Sequence, residues 1–399
     1  MPRFIPVFMC CCAGALTFGA QAATRRVPET GAAADLPFSA AVEAGDFIYV
    51  TGNGGGKGDI GAQTQGALDN IAEILKKAGA TLNDVVSTQV YISDRANAAG
   101  MDAAYGASWS ANPPARTVII TEGLVGGNGL VEINAVAVRH GVSHKAVLPH
   151  GWQQPTGPFS YGQKVGNTLF ISALTGRNPM DGSASAPDNV RAQTKTIMES
   201  MGALLKAASM DYGDIAAGRV WISDITKNYE SMNAVYRSYF IRDFPSRATL
   251  EFNLANPADI VEISAVAVKG GPRHAIAATI TADGTPGTPN PNFCAGMVVG
   301  NRMWITGMTG QTADNKTDLA SQTNQALATM LRVVKAGGFT QEQVVEVNVY
   351  LHDAHDVSQY QLMNTAYKKV FQKDFPARTT VQGDNAGKSL VEIVMMAAR

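Results

Sequence analysis

Apolar residues along the chain follow the two periodicities that distinguish strands from helices. Over Val131–Val138 polar and apolar positions alternate, which predicts a strand with Glu132 and Asn134 on one face among valines. Helices are predicted in two sets, an apolar stripe with a period of about 3.6 over 67–78 and 197–208, and a second helix over 229–240 and 359–371. Strands and helices therefore mix along the chain.

Four sequence segments recur three times in the same order. They are an apolar strand with a hydroxyl residue (48–52, 169–173, 303–307), a strand ending in aspartate (90–94, 220–224, 349–353), a Pro-x-Arg segment (114–117, 245–248, 376–379) and a Val-Glu-Ile segment (131–133, 261–263, 391–393). The arginines are spaced by 131 residues and the glutamates by 130. Self-similarity at a fixed period predicts three tandem copies of one domain.

Each copy is predicted to run strand, strand, helix, strand, helix, strand, strand. The first strand is placed near 145–148 in copy two and 275–281 in copy three. Helices between strands favour an α+β fold, with one mixed sheet and two helices on one face. The other face must also be covered, and another copy is the obvious cover. The predicted domains are 23–142, 143–271 and 272–399, after a leader at 1–22.

The leader has the features of a secretory signal peptide. Arg3 gives a positive start, residues 4–19 are mostly apolar, and Ala20 and Ala22 fit a small-x-small cleavage site. A membrane anchor needs a longer apolar run, of about 20 residues. Lipid attachment at one of the cysteines at 10–12 is a third possibility. It is disfavoured because the residues before the cysteines are bulky, whereas a lipid-attachment site usually has small residues there. We therefore expect a periplasmic or secreted protein with no membrane attachment.

Composition and charge narrow the choice of partners. The chain has 399 residues, 45% of them hydrophobic and 16% charged, as in globular domains. The formal net charge is -1 and no basic tract stands out, which argues against a nucleic-acid partner. After cleavage only Cys294 remains, so no internal disulfide is expected. His352 and His355 occur in one copy only, and no dinucleotide or phosphate-loop motif fits, so neither metal nor cofactor is expected.

The repeated charged residues are the candidate chemistry. A glutamate on a largely apolar strand face needs a partner, and an arginine fork can grip a carboxylate through two bonds. Tyr105, Tyr236 and Tyr367 recur on the second helix and are predicted to pack in the core.

These segments together resemble a known family. Pro-Ala-Arg-Thr, Val-Glu-Ile-x-Ala-Val-Ala-Val and Met-Asn-x-x-Tyr are similar to motifs of the reactive intermediate deaminase family (RidA, YjgF-like), over essentially the whole mature chain. The resemblance implies chorismate-mutase-like domains and trimers with ligand clefts between subunits. One chain would then form an intramolecular pseudo-trimer and act as a monomer. It also implies hydrolysis of amino-acid-derived imines and enamines to 2-keto acids and ammonia.

The resemblance assigns roles residue by residue. The arginines that would hold the substrate carboxylate are Arg116, Arg247 and Arg378. The glutamates that would hold or activate water are Glu132, Glu262 and Glu392. The hydroxyl and amide residues that would line the site are Thr51, Ser172, Thr306, Asn233 and Asn364. Three departures stand out. Phe38, Phe159 and Phe293 replace a family tyrosine near the cleft, Asp102 replaces the asparagine in copy one, and Ala173 replaces a glycine in copy two.

Three hypotheses remain open at this point. The chain is an exported imine or enamine deaminase, or a binding module for small carboxylate ligands that lost catalysis with the tyrosine. Alternatively, arginine and glutamate form a buried structural pair within each sheet, whose loss can cost about 3–5 kcal/mol.

Overall fold

The computed structural model describes residues 24–28, 35–109, 111–384 and 388–399. The predicted signal segment at 1–22 lies outside these residues. No helix within the described ranges has the length and apolar character to cross a bilayer.

The described elements follow the three repeats. Copy one contains β1 (Arg25–Val27), β2 (Ala41–Ala44), β3 (Phe47–Gly54), α1 (Ile60–Lys77), β4 (Val85–Ile92), α2 (Ala98–Ala107), β5 (Ala115–Ile120) and β6 (Val131–Val138). Copy two contains β7 (His144–Ala146), β8 (Gly162–Val165), β9 (Thr168–Leu174), α3 (Val190–Ala207), β10 (Ile215–Ile222), α4 (Ile225–Tyr236), β11 (Ser246–Glu251), β12 (Asn253–Leu254) and β13 (Val261–Val268). Copy three contains β14 (Arg273–Ile276), β15 (Gly296–Val299), β16 (Arg302–Met308), α5 (Leu319–Ala336), β17 (Val344–Leu351), α6 (Val357–Val370), β18 (Ala377–Gln382) and β19 (Val391–Ala398).

The predicted order of elements omits one strand in every copy. The strands β2, β8 and β15 are four residues long and pair with the strand that follows them. A two-residue turn joins each pair, and its first residue is Gly45, Gly166 or Gly300 with a positive φ. Such glycines suit the tight turns of antiparallel hairpins. The strands are too short for their alternation to stand out, but the turn recurs and signals them.

Each copy forms one mixed sheet, as predicted, and β12 of copy two joins the edge of the sheet of copy one. The strand orders are β1-β2-β3-β6-β4-β5-β12, β7-β8-β9-β13-β10-β11 and β14-β15-β16-β19-β17-β18. The pairs β4/β5, β10/β11 and β17/β18 are parallel, and the second helix of each copy makes the crossover between them. The other neighbours are antiparallel.

The long helices begin at side-chain caps. The carboxylates of Asp59 and Asp318 and the amide of Asn189 accept hydrogen bonds from the first turns of α1, α5 and α3. The apolar stripe of each helix is buried against its own sheet and forms one core per copy. The predicted stripes are thus confirmed as the faces that build these cores.

Two further apolar clusters contain residues from all three copies. One includes Tyr49, Phe170 and Trp304, and the other is centred on Tyr91, Trp221 and Tyr350. Hydrogen bonds also cross between copies: Arg219 Nη1 donates to Gln89 Oε1 at 3.0 Å and to the Tyr350 hydroxyl at 2.9 Å. The sheet faces without helices therefore pack against one another.

Candidate functional site

A β-bulge lies at the same place in each copy. On β3, Val50 pairs with Ala135 and Asn53 with Ile133, so one extra residue is inserted at Thr51–Gly52. Equivalent irregularities fall on β9 and β16. Bulges bend a strand and re-aim its side chains. In each copy the bulge thus contains the hydroxyl residue and the small residue that follows it, and these two residues are called the rim of the copy below.

The arginine and glutamate of one copy lie on opposite faces of its sheet. Arg116 pairs in register with Thr88 and Glu132 with Tyr91, three positions apart along β4. Because side chains alternate along a strand, they point to opposite faces. The same register holds in copies two and three. No ion pair joins these arginines to these glutamates within the described ranges, so the hypothesis of a structural pair within each sheet is wrong.

The arginine of one copy instead meets the rim of another copy. The Thr51 hydroxyl donates to the carbonyl of Arg378, and the Thr306 hydroxyl donates to the carbonyl of Arg247. The Ser172 hydroxyl accepts from the Arg116 backbone N–H at 2.8 Å. Copy one thus meets copy three, copy three meets copy two, and copy two meets copy one. Each of these contacts between two copies is called a cleft below and is named by its arginine.

Each guanidinium lies between two aromatic rings from different copies. The ring centroids of the helix tyrosines lie 4.8 to 4.9 Å from the guanidinium carbon, and those of the phenylalanines lie 5.2 to 5.6 Å away. The pairs are Tyr105 and Phe159 at Arg116, Tyr236 and Phe293 at Arg247, and Tyr367 and Phe38 at Arg378. Aromatic faces attract a cation and fix its plane. The tyrosines are core residues, as predicted, and they also hold the arginine forks.

Arg247 is a buried cation without an anionic partner among the described residues. None of the three side-chain nitrogens of Arg247 makes a hydrogen bond of normal geometry to a described residue. Burial lowers the pKa of Arg247, while the Tyr236 and Tyr229 hydroxyls oppose that change. Leaving a buried charged donor unpaired costs more than the about 1–3 kcal/mol of a neutral one. The fork is therefore suited to an anionic ligand.

A cavity of about 300 Å³ lies at Arg247. Glu392 and Phe293 of copy three line it opposite Arg247, together with Tyr229 and Thr249 of copy two. The arginine and the glutamate that share a cleft therefore come from different copies.

Burial raises the pKa of all three glutamates. The pKa of Glu392 rises to about 8 and that of Glu262 to about 8, chiefly through loss of hydration. The pKa of Glu132 rises to about 7, because a hydrogen bond from the Thr380 backbone and the charge of Arg378 oppose the burial. These carboxyls can take up or release a proton near neutral pH, which suits a general acid or base.

The glutamates fit into space left by glycines. A Cβ added to Gly52 would lie 2.1 Å from Glu132 Oε1, and one added to Gly307 would lie 2.0 Å from Glu392 Oε1. Both separations are far inside van der Waals contact. In copies one and three the carboxylate therefore occupies space that the Cβ of any other residue would fill.

The Arg116 cleft differs from the other two. Arg116 Nη1 lies 2.7 Å from Asp102 Oδ1 of the same copy. Ala173 stands where the other clefts have Gly307 or Gly52. This cleft thus supplies its own anion, and its bulge already carries a Cβ.

The remaining predicted residues are polar and buried. Asn233 is fully buried, with neither amide atom in a hydrogen bond, and the Asn364 Oδ1 also has no partner among the described residues. The three rim hydroxyls bond backbone atoms across the interface. Their contact with a substrate stays a prediction.

Sequence reasoning missed Tyr229 and Tyr360. Arg378 Nη2 donates to the Tyr360 hydroxyl at 3.0 Å, and the Tyr229 ring centroid lies 6.0 Å from the Arg247 guanidinium carbon. The two tyrosines occupy equivalent positions, three residues before the Met-Asn pair in each helix. That recurrence was the available signal. The described residues bring no three His, Cys, Asp or Glu side chains together as a metal-binding group.

Comparison with known proteins gives the family. The family model described as "Endoribonuclease L-PSP" matches residues 29–139, 152–269 and 287–399. A 2-iminobutanoate/2-iminopropanoate deaminase of Bos taurus is 33% identical over 114 residues, which is 29% of this chain and 82% of that protein. A RutC family protein of Pyrococcus abyssi is 37% identical over 116 residues, 29% of this chain and 90% of that protein.

Among solved structures, a chorismatase aligns with most of the chain. Its TM-score is 0.50 at 16% identity, over 79% of this chain and 93% of that one, a likeness in fold alone. The triple family match and the relatives each account for one repeat at a time. The chain therefore belongs to the reactive intermediate deaminase (RidA, YjgF-like) family, with three tandem copies of the family domain in one polypeptide.

Proposed function

We propose that this chain hydrolyses amino-acid-derived imines and enamines to 2-keto acids and ammonia in the clefts between its copies. The observation that carries the proposal is the buried guanidinium of Arg247, which has no anionic partner among the described residues and shares a cavity with Glu392 of another copy. The naming of a 33% identical relative as a 2-iminobutanoate/2-iminopropanoate deaminase supports the same reaction class.

The arginine fork binds the carboxylate of the substrate. Two parallel N–H donors match the two oxygens of a carboxylate, and the aromatic rings on either side hold the fork in one plane. The bound carboxylate neutralises a charge that the fold leaves buried and unpaired. Binding of the anion is thus favoured over binding of a neutral analogue.

The glutamate moves protons in the reaction. As a carboxylate it takes a proton from water while the water oxygen bonds to the imine carbon. The glutamate then returns that proton to the nitrogen. The carbon–nitrogen bond breaks, the hydroxyl proton moves to the leaving nitrogen, and the products are a 2-keto acid and ammonia. A pKa of about 8 for Glu392 lets both steps occur near neutral pH.

A binding module for small carboxylates is the second candidate. Phe38, Phe159 and Phe293 carry no hydroxyl to place a water, which favours binding without turnover. This alternative keeps the arginine fork and gives the glutamates no chemical role.

We also propose that one chain forms a closed pseudo-trimer, acts as a monomer and works in the periplasm or outside the cell. The cyclic order of the three clefts and the apolar clusters shared by all copies support the closed arrangement. The charge and apolar pattern of residues 1–22 supports export. A measured mass in solution of a stable three-chain particle would contradict the closed monomer.

The test uses imines made in place by an amino-acid oxidase. We expect the purified protein to speed imine decay, and the Arg247→Met/Arg378→Met variant to abolish most of the acceleration. Methionine keeps apolar contact with the rings but removes the charge, so the melting temperature should stay unchanged or rise. Binding of 2-keto acids without faster decay would favour the binding module, and no acceleration over a range of amino acids would overturn the deaminase.

A further inference from the structure

At four positions the Arg116 cleft departs from a residue that the other two clefts share. The residues at the Arg116 cleft are Ala98, Asp102, Val118 and Ala173. The equivalent residues at the other two clefts are Tyr229 and Tyr360, Asn233 and Asn364, Thr249 and Thr380, and Gly307 and Gly52. The first three lie in copy one and the fourth in copy two, which are the copies that meet at Arg116. At these four positions two clefts therefore share one set of side chains, and the third has another.

The helix tyrosines add a hydroxyl beside the fork in two clefts. The Tyr360 oxygen accepts from Arg378 Nη2 at 3.0 Å, which leaves its own proton for a ligand. Tyr229 lines the cavity at Arg247 from the equivalent position. Each can donate to the carboxylate that the arginine holds. They thus supply a phenolic hydroxyl in clefts where Phe38 and Phe293 bring none.

Two threonines add a second unpaired donor. Thr249 lines the cavity at Arg247, and its buried hydroxyl has no hydrogen-bond partner among the described residues. The Thr380 hydroxyl is likewise buried and unpartnered. Both lie two residues after the arginine on the same strand, hence on the same face. Val118 at this position offers no donor.

The Arg116 cleft is satisfied without a ligand. Asp102 lies 2.7 Å from the guanidinium, and its side chain is 40% exposed while that of Arg116 is 5% exposed. An entering carboxylate would meet a like charge and would have to displace it. Ala173 has a Cβ at the position where, in the other two clefts, a glutamate oxygen lies close to a glycine.

From these contacts, and resting on the proposed function, we infer that the chain has two ligand-binding clefts, at Arg247 and Arg378. Tyr229 with Thr249, and Tyr360 with Thr380, position the carboxylate there. The Arg116 cleft is closed by Asp102 and takes no carboxylate.

Soaking crystals of the protein with 2-oxobutanoate, a small 2-keto acid, locates the sites directly. We expect the ligand in the Arg247 and Arg378 clefts and none at Arg116. Ligand at Arg116, or its absence from both other clefts at saturating concentration, would overturn the inference. This readout is independent of turnover, so a protein that binds two ligands but does not speed imine decay would refute the deaminase and keep the inference.

Solution binding tests the residues. In the Arg247→Met/Arg378→Met background only Arg116 remains, and we expect no binding of 2-oxobutanoate. Adding Ala98→Tyr, Asp102→Asn, Val118→Thr and Ala173→Gly to that background should restore one site. In the otherwise native chain, Tyr229→Phe/Tyr360→Phe should raise the Kd about tenfold, a loss of about 1.4 kcal/mol, with no change in melting temperature. An unchanged Kd, or one ligand bound in the background variant, would contradict the assignment.

Discussion

Glu392 illustrates how a single residue combines stability and chemistry. Its carboxyl is 4% exposed, and burial raises its pKa from 4.5 to about 8. Each pKa unit corresponds to about 1.4 kcal/mol between the two protonation states. The folded protein therefore prefers the protonated glutamate, whereas the proposed reaction uses the carboxylate. Substrate hydrolysis should consequently increase as pH rises toward 8.

Stability should change with pH in the opposite direction. Below pH 4.5 the glutamate is protonated in both the folded and the unfolded state, so its full contribution to the free energy of unfolding is present. As pH rises toward about 8, the unfolded state loses the proton first and the folded state becomes less stable. We expect Glu392→Gln to reduce this loss, measured as melting temperature between pH 5 and pH 9.

A matched control is Glu73→Gln, since Glu73 lies on an exposed helix face with 69% of its side chain accessible. That variant should follow the wild-type pH profile. Equal profiles for Glu392→Gln and the wild type would show that Glu392 holds no raised pKa.

At the scale of elements, the bulge couples two copies. The bulges on β3 and β16 bring a glycine against a glutamate of the neighbouring strand in the same copy, while the arginine arrives from the next copy. The site therefore depends on a local strand irregularity and on a long-range contact together.

Replacing a bulge glycine should damage one cleft without unfolding the sheet. In Gly52→Ala the new Cβ would lie 2.1 Å from Glu132 Oε1, so the glutamate must leave its position. We expect the rate of imine hydrolysis to fall by about the amount that one active cleft contributes. Gly54→Ala is the control, because the nearest atom to its Cβ is the Val131 carbonyl at 3.7 Å. Equal losses in both variants would assign the effect to the strand instead of the carboxylate.

The long strands and the helices were predictable because each depends on local periodicity. The repeats and their charged residues were predictable because similar segments recur with a spacing of 130 or 131 residues. The strands β2, β8 and β15 were not, because four residues that are nearly all buried show no clear alternation. That Arg116 and Glu132 face opposite ways follows from strand register, which a sequence without its pairing does not contain. The convergence of Asp102 and Ala173 on one cleft required knowing which copies meet.

At the scale of the whole molecule, the copies are bound by shared cores. Trp221 is fully buried and packs edge-on against Tyr91 and Tyr350 of the other copies, with ring centroids 6.2 and 6.1 Å apart. An isolated copy would expose this cluster to water. Since aromatic side chains contribute much of the energy of a buried interface, the three domains should unfold together.

Trp221→Ala tests whether the copies form one cooperative unit. Removing a buried tryptophan typically costs about 3–5 kcal/mol, and here the cavity would open between all three copies. We expect a large fall in melting temperature, with one transition seen alike by circular dichroism and calorimetry. Trp152→Ala is the comparison, because Trp152 is partly buried and packs within copy two on Tyr161. A separate early transition confined to one domain would show instead that each copy folds on its own core.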